Sequence, residues 1–293
     1  MMSVITVKLL KKYYGSSRGL EDASLVVEPQ EIFGFIGPNG AGKTTLIRIL
    51  MGLLDKDQGE ASIFGLPCQM DGHAMNQAIG YLPSEALFFN EYKVIDVIKF
   101  YEGFHQVDAD YKKHIIKELD MDVKKKVGEL SFGNKKKLGI LIAMMHQPKL
   151  LVLDEPTTGL DPLIQQNFLN LLLEAKKHGT TIFLSSHVLS DVQKVCDRVA
   201  LIKDGKVILI EEMKVLHGRE HKVIQLRPAI EVNFDHMSHM VFSKDQLTFH
   251  YHGDIKPLIE KLSTLTFDDL IIRDVTLEEI FLSYYKEGDQ HVR

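Results

Sequence analysis

The stretch "GPNGAGKT", Gly37 to Thr44, constrains this 293-residue chain more than any other. It follows an apolar run, "EIFGFIG", and leads into the helical pattern "KTTLIRILMGLL". The spacing is that of a phosphate loop, G-x(4)-G-K-S/T, and a buried strand before it with a helix after it is the context such a loop needs. Its glycines let backbone N–H groups curl around phosphate oxygens, and the helix N-terminus adds the positive end of its dipole. Lys43 supplies a point charge for the outer phosphates, and the Thr44 hydroxyl is placed to ligate Mg²⁺. Gly37, Pro38, Asn39, Gly40, Ala41, Gly42, Lys43, Thr44 and Thr45 are therefore expected to hold a nucleoside triphosphate.

A loop of this kind belongs to an α/β sheet, and the rest of the chain supplies one. From Lys149 strand and helix alternate: "KLLVLD", "LIQQNFLNLLLEAKKHG", "TTIFLSS", "VLSDVQKVCD", "RVALIKDG". Near-continuous apolar strands between helices predict a mostly parallel sheet covered on both faces. Alternation in "ITVKLL" and "ASLVVE" predicts a small antiparallel β subdomain before it. Residues of about 86–140 are mostly helical in period and form a helical subdomain. After residue 217 a hairpin ("HMVFSKDQLTFHYHGD"), a helix ("IKPLIEKLST"), a strand ("DDLIIRDV") and a last helix make a small α+β domain, 218–293. Thr276 and Glu279 match a capping box opening that last helix.

Two chemical sites follow from strand ends. "LLVLDEP" ends a buried strand at Asp154 with Glu155 beside it. An acid there can hold a hydrated metal, and a second can orient or deprotonate an attacking water. Adjacent acids alone would equally suit a helix cap; the phosphate loop favours hydrolysis. His187 ends "TIFLSSH", and one histidine of 13 is a poor clue. Its place at a carboxyl strand end, where open α/β sheets bind ligands, makes it a candidate donor to a γ-phosphate.

Composition removes other classes. A net charge of −5 speaks against general nucleic-acid binding, and two cysteines, Cys68 and Cys196, have no metal or redox spacing. The early charges of "MMSVITVKLLKKYYG" do not make a signal peptide, and "ILIAMM" is far too short to span a membrane. The pairs His236/His239 and His250/His252 lack clustered Cys or acid ligands, so no metal is expected there. Alternation puts His250 and His252 on one solvated strand face.

"YYG", "GPNGAGKTT", "LSFGNKKK", "LLVLDEPTTGLDP" and "SSH" occur in the order and spacing of the ATP-binding subunit of ABC transporters, and residues 3–217 resemble that family. The tail, ending in "VTLEEIF", resembles stand-alone ATPase subunits of bacterial exporters of drugs, antibiotics or peptides. The fold implied is a P-loop NTPase of ABC ATPase type. The resemblance implies ATP with Mg²⁺, catalysis by Glu155, His187 and Lys43, and a metal site of Thr44 and Asp154. It further implies that Tyr14 stacks on adenine, with Tyr13 the fallback, and that Asp161 in "TTGLDP" touches an opposite subunit. "LSFGN" is similar to the family signature, which contacts ATP held by the other subunit. Ser131 and Gly133 would make that contact in trans, flanked by Leu130, Phe132 and Asn134; Phe132 stands where the pattern has its first glycine and Asn134 where it has glutamine. Lys135, Lys136 and Lys137 read as a solvated helix face.

A second departure lies in "IGYLPSEALFF", where the family carries a glutamine after the proline. Here Ser84 and Glu85 stand instead, and Glu85 is taken as the metal-side contact. The implied protein is an ATP-hydrolysing motor, a homodimer or a heterodimer with a related cassette, driving a separate transmembrane permease at the cytoplasmic face of the cell membrane. No nucleic acid is expected as partner. The alternative is a soluble ABC-type ATPase acting on nucleic acid, ribosomes or cluster assembly.

Overall fold

The computed structural model describes residues 3–68, 77–216, 222–230, 232, 234–276 and 278–280. The chain divides into two compact units, Met1–Glu211 and Glu212–Arg293. The sequence reading places the boundary a few residues later, at 217/218.

The first unit is built on one ten-stranded sheet. Its strands are β1 (Ile5–Tyr14), β2 (Ser17–Val27), β3 (Ile32–Ile36), β4 (Gln58–Ile63), β5 (Leu66–Pro67), β6 (Ile79–Leu82), β7 (Leu150–Asp154), β8 (Thr181–Ser186), β9 (Arg198–Lys203) and β10 (Lys206–Glu212). Their order is β5-β4-β1-β2-β10-β9-β3-β8-β7-β6. The stretch β9-β3-β8-β7-β6 is parallel, and β1 pairs antiparallel with both β2 and β4. β3, β7 and β8 are buried at every position, which is why they read as unbroken apolar runs. Phe33 stacks on Phe183 across β3 and β8 with ring centroids 6.0 Å apart. Both belong to a core that also takes Leu46, Ile47 and Leu50 of α1 (Lys43–Leu50).

Helices α2 (Val94–Glu102), α3 (Ala109–Glu118) and α4 (Phe132–Met144) make the helical part, α4 running a turn beyond the expected limit. Further on, α5 (Pro162–Lys177) and α6 (Leu189–Val195) separate the later strands. α6 lies close on β3 because Gly34 has no side chain: a Cβ there would meet Val192 at 2.9 Å. Among the described residues, no helix is long and apolar enough to cross a membrane.

The second unit has its own sheet, ordered β12-β13-β11-β14, from β11 (Lys222–Arg227), β12 (Met237–Ser243), β13 (Gln246–Tyr251) and β14 (Asp269–Asp274). Helix α7 (Ile255–Leu262) buries Leu258 and Leu262 in a core with Ile224, Leu247 and Phe249. The hairpin, helix and strand expected here are present, and β11, which the sequence reading does not pick out, is the strand between them. The capping box forms: Thr276 N donates to Glu279 Oε2 at 2.9 Å, and Glu279 N to Thr276 Oγ1 at 3.2 Å. His250 and His252 are half-buried rather than solvated, because β12 packs beside them and Ser238 Oγ lies 2.7 Å from His252 Nε2.

Candidate active site

The phosphate loop leaves the carboxyl end of β3 in a space that only glycine fits. A Cβ at Gly37 would stand 2.4 Å from the Ile202 carbonyl oxygen. Gly42, with φ +109°, caps α1 in a left-handed conformation that side chains resist. Lys43 follows, only 6% exposed, and its Nζ donates to the carbonyls of Gly37 (2.7 Å) and Pro38 (3.2 Å). The same ammonium lies 3.3 Å from Glu155 Oε1.

The acids come from the end of β7, two strands away. Asp154 is fully buried, and its two oxygens accept from Thr44 Oγ1 at 2.9 Å and Ser185 Oγ at 2.6 Å. Ser185 Oγ also accepts the Glu155 backbone N–H at 3.2 Å, so one hydroxyl orients both acids. Glu155 adopts φ +50°, uncommon for a residue with a Cβ. His187, just past β8, places Nδ1 2.6 Å from Glu155 Oε2. A carboxylate can only accept, so Nδ1 carries the proton in that pair. Lys43, Thr44, Asp154, Glu155 and His187 thus form one connected cluster at the carboxyl ends of β3, β7 and β8. Thr44 and Asp154 offer hard oxygen ligands of the kind Mg²⁺ takes, already oriented by a buried network, and so fit that ion.

Tyr14 ends β1 with its hydroxyl 3.4 Å from Thr45 Oγ1, and is 46% exposed. Its ring covers Gly19, where a Cβ would come within 2.8 Å of Cε2. Tyr13 instead engages Asp57 through its backbone N–H. The signature stretch lies apart from this cluster. Ser131 caps α4 by accepting the Asn134 N–H at 3.3 Å, and Phe132, 52% exposed, covers Gly159. A Cβ on Gly133 would stand 2.4 Å from the Gly159 carbonyl, so the stretch rests on the "TTGLDP" loop of its own chain. In that loop Asp161 caps α5, accepting the Ile164 N–H at 3.0 Å.

The lysine run is not a solvated face. Lys136 is 2% exposed and Lys137 8%, because α4 buries that side in the unit. Lys136 Nζ donates to the carbonyls of Ser84 (2.8 Å), Pro83 (3.2 Å) and Asp154 (3.4 Å). Burial pushes its ammonium down to about 8, against the opposing pull of Asp154, Glu155 and Glu85. Ser84 is half-buried and Glu85 exposed. Sequence reasoning missed Lys136 and Ser185. The signal for Lys136 was its spacing from Gly139, Ile140 and Ala143, which puts it on their apolar face.

Residues 20–158 match the family model described as ABC transporter. The bacitracin transport ATP-binding protein BcrA of Bacillus licheniformis is 36% identical over 221 residues, 74% of this chain and 72% of that one. The chain belongs to the ABC transporter ATP-binding proteins. A second relative in this ABC group, the Nod factor export ATP-binding protein I of Burkholderia lata, is 28% identical over 95% of both chains. Among solved structures, an ATP-binding subunit of an ABC transporter is 26% identical, covering 73% of this chain and 92% of its own, with a TM-score of 0.67. The ABC chain is accordingly an ATPase, the ATP-binding subunit of a transporter.

Proposed function

We propose that this subunit is the motor of an exporter, two cassettes closing head-to-tail around two ATP and driving a separate permease at the cytoplasmic face of the cell membrane. The observation that carries the hydrolytic part is the Glu155 carboxylate set between Lys43 and His187, one residue from buried Asp154. Lys43 and the loop amides of Gly37–Thr45 bind the phosphates, which compete with Glu155 for the ammonium. Tyr14 stacks on the adenine. His187 donates Nδ1–H to Glu155, and a second proton on Nε2 lets it donate to the γ-phosphate as well. Glu155 takes the proton of the attacking water. Thr44 and Asp154 would hold Mg²⁺, with Glu85 a further ligand, and the ion when bound would neutralise charge on the phosphate oxygens. Ser131 and Gly133 reach the γ-phosphate of the partner cassette's ATP, with Leu130, Phe132 and Asn134 flanking them and Asp161 meeting the same partner.

Export is supported by the relatives, one named for bacitracin transport and one for Nod factor export. The cargo class proposed is a drug, antibiotic or peptide. A permease is supported by an apolar groove of about 330 Å³ lined by Leu87, Phe89, Tyr92, Val97 and Phe100. Leu87 is 89% and Phe89 76% exposed, a patch suited to the apolar face of a partner helix. Replacing Glu155 tests the chemistry. Glu155→Gln should keep ATP binding and lose on the order of 10²–10⁴ in hydrolysis rate. A variant hydrolysing at the wild-type rate removes Glu155 from the chemistry.

A further inference from the structure

Lys136 is the most deeply buried ammonium described in the first unit, and every one of its acceptors is a backbone carbonyl. An ammonium has three donors, and here three oxygens take them, so the charge is satisfied without a paired carboxylate. What matters is where those carbonyls lie. Two belong to Pro83 and Ser84, in the loop after β6 that continues through Glu85 into the apolar groove beginning at Leu87. The third belongs to Asp154, whose side chain accepts from Thr44 and Ser185. The lysine itself stands on α4, one turn from Ser131 at its cap. One side chain therefore ties together the groove loop, the acid-bearing strand end and the signature helix.

We propose that Lys136 is a positioning residue for ATP hydrolysis, holding the Pro83–Glu85 loop against the Asp154 end of β7 so that the groove and the acids move together. The proposal rests on the hydrolytic reading above and extends it to a residue that touches neither nucleotide nor attacking water. Backbone carbonyls fix a loop's path whatever its side chains are. That suits a chain with Ser84 and Glu85 where its family carries glutamine. A purely apolar residue at 136 would fill much the same volume and take its donors away from one buried and two partly buried carbonyl oxygens, a loss that alters geometry more than nucleotide affinity.

The test uses the full-length chain and three variants, Lys136→Met, Lys136→Gln and Lys136→Arg, with Glu155→Gln as a control. Lys136→Met should lower kcat about 10- to 100-fold while the KM for ATP stays within about threefold. Lys136→Arg, which retains charge and donors, should recover most of the lost kcat, and Lys136→Gln, a shorter neutral donor, less of it. Amide hydrogen exchange at residues 84–88 should quicken in the Met variant and return toward wild type in the Arg variant. A folded Met variant with kcat within about twofold of wild type overturns the proposal. So does a fall in kcat that neither donor-bearing variant relieves. If the Met variant does not fold, the order Arg above Gln in kcat at unchanged KM decides, and equal or reversed values overturn it. A wild-type chain that hydrolyses ATP no faster than Glu155→Gln would instead sink the hydrolytic reading itself.

Discussion

Ser185 uses a single hydroxyl to donate to Asp154 and to accept from the Glu155 backbone, and it is fully buried. Removing that oxygen leaves a buried Asp154 oxygen without its donor, while the Glu155 N–H keeps the Ser185 carbonyl at 3.2 Å. Ser185→Ala should therefore cost about 1–3 kcal/mol in denaturant unfolding, with a lowered kcat; unchanged stability would show that water replaces the hydroxyl. At the departed glutamine position, only a carboxylate matches glutamine in reach and adds charge. Glu85→Ala should then be severe and Ser84→Ala mild in partner-stimulated ATPase, since Ser84 contributes its carbonyl to Lys136 and keeps it as alanine. The reverse ranking would assign the metal side to Ser84. The meeting of Lys43, Thr44, Asp154 and Glu155 at one place was legible in the motifs that carry them. Lys136 was not, because lysine's usual solvation outweighs a helical spacing that here carries it into the interior.

At the scale of elements, the helix entry at Thr276 shows how a cap can set pH dependence. Arg273 meets the Glu279 carboxylate with both terminal nitrogens, at 2.6 and 2.8 Å, and Thr276 adds its N–H and hydroxyl. The guanidinium first, then those threonine bonds, hold Glu279 down to about 2, below the 4.5 of a free glutamate. A lowered folded value stabilises the second unit above about pH 4.5. That contribution drains away as pH falls from there toward 2. Unfolding followed between pH 5 and 2 should show it, and Glu279→Gln should flatten that part of the curve; an unchanged curve would show the bidentate pair to be without weight. The cap was readable in the letters because its chemistry is local. β11 was not, since Val223 and Ile224 are both inside, which breaks the alternation a short strand is read by. β10 escaped too: it follows a two-residue turn after β9 and its residues are mostly half-buried, giving no clear period.

For the whole molecule, the signature stretch and the phosphate loop sit on different elements, as a site shared between two subunits needs. Dimers of Lys43→Ala and of Ser131→Arg should each be inactive. Mixing them should partly restore hydrolysis, since a mixed dimer holds one site with both residues intact. No recovery, with subunit exchange shown independently, would mean that Ser131 acts within its own chain, that both sites must be intact together, or that the natural partner is a different cassette. Co-purification of a second cassette would single out the last. The sheet order carries a further consequence, for the birth of the chain on the ribosome. β3, which launches the phosphate loop, pairs with β8 on one side and β9 on the other, and both lie roughly 150 residues or more downstream. At about 5–20 residues per second, "IFGFI" waits roughly 7–30 s with both edges open before either neighbour is made. The strand that gives the subunit its nucleotide is thus among the first synthesised and among the last to be sheltered, and a stalled or shortened chain exposes the segment most prone to pair with another copy.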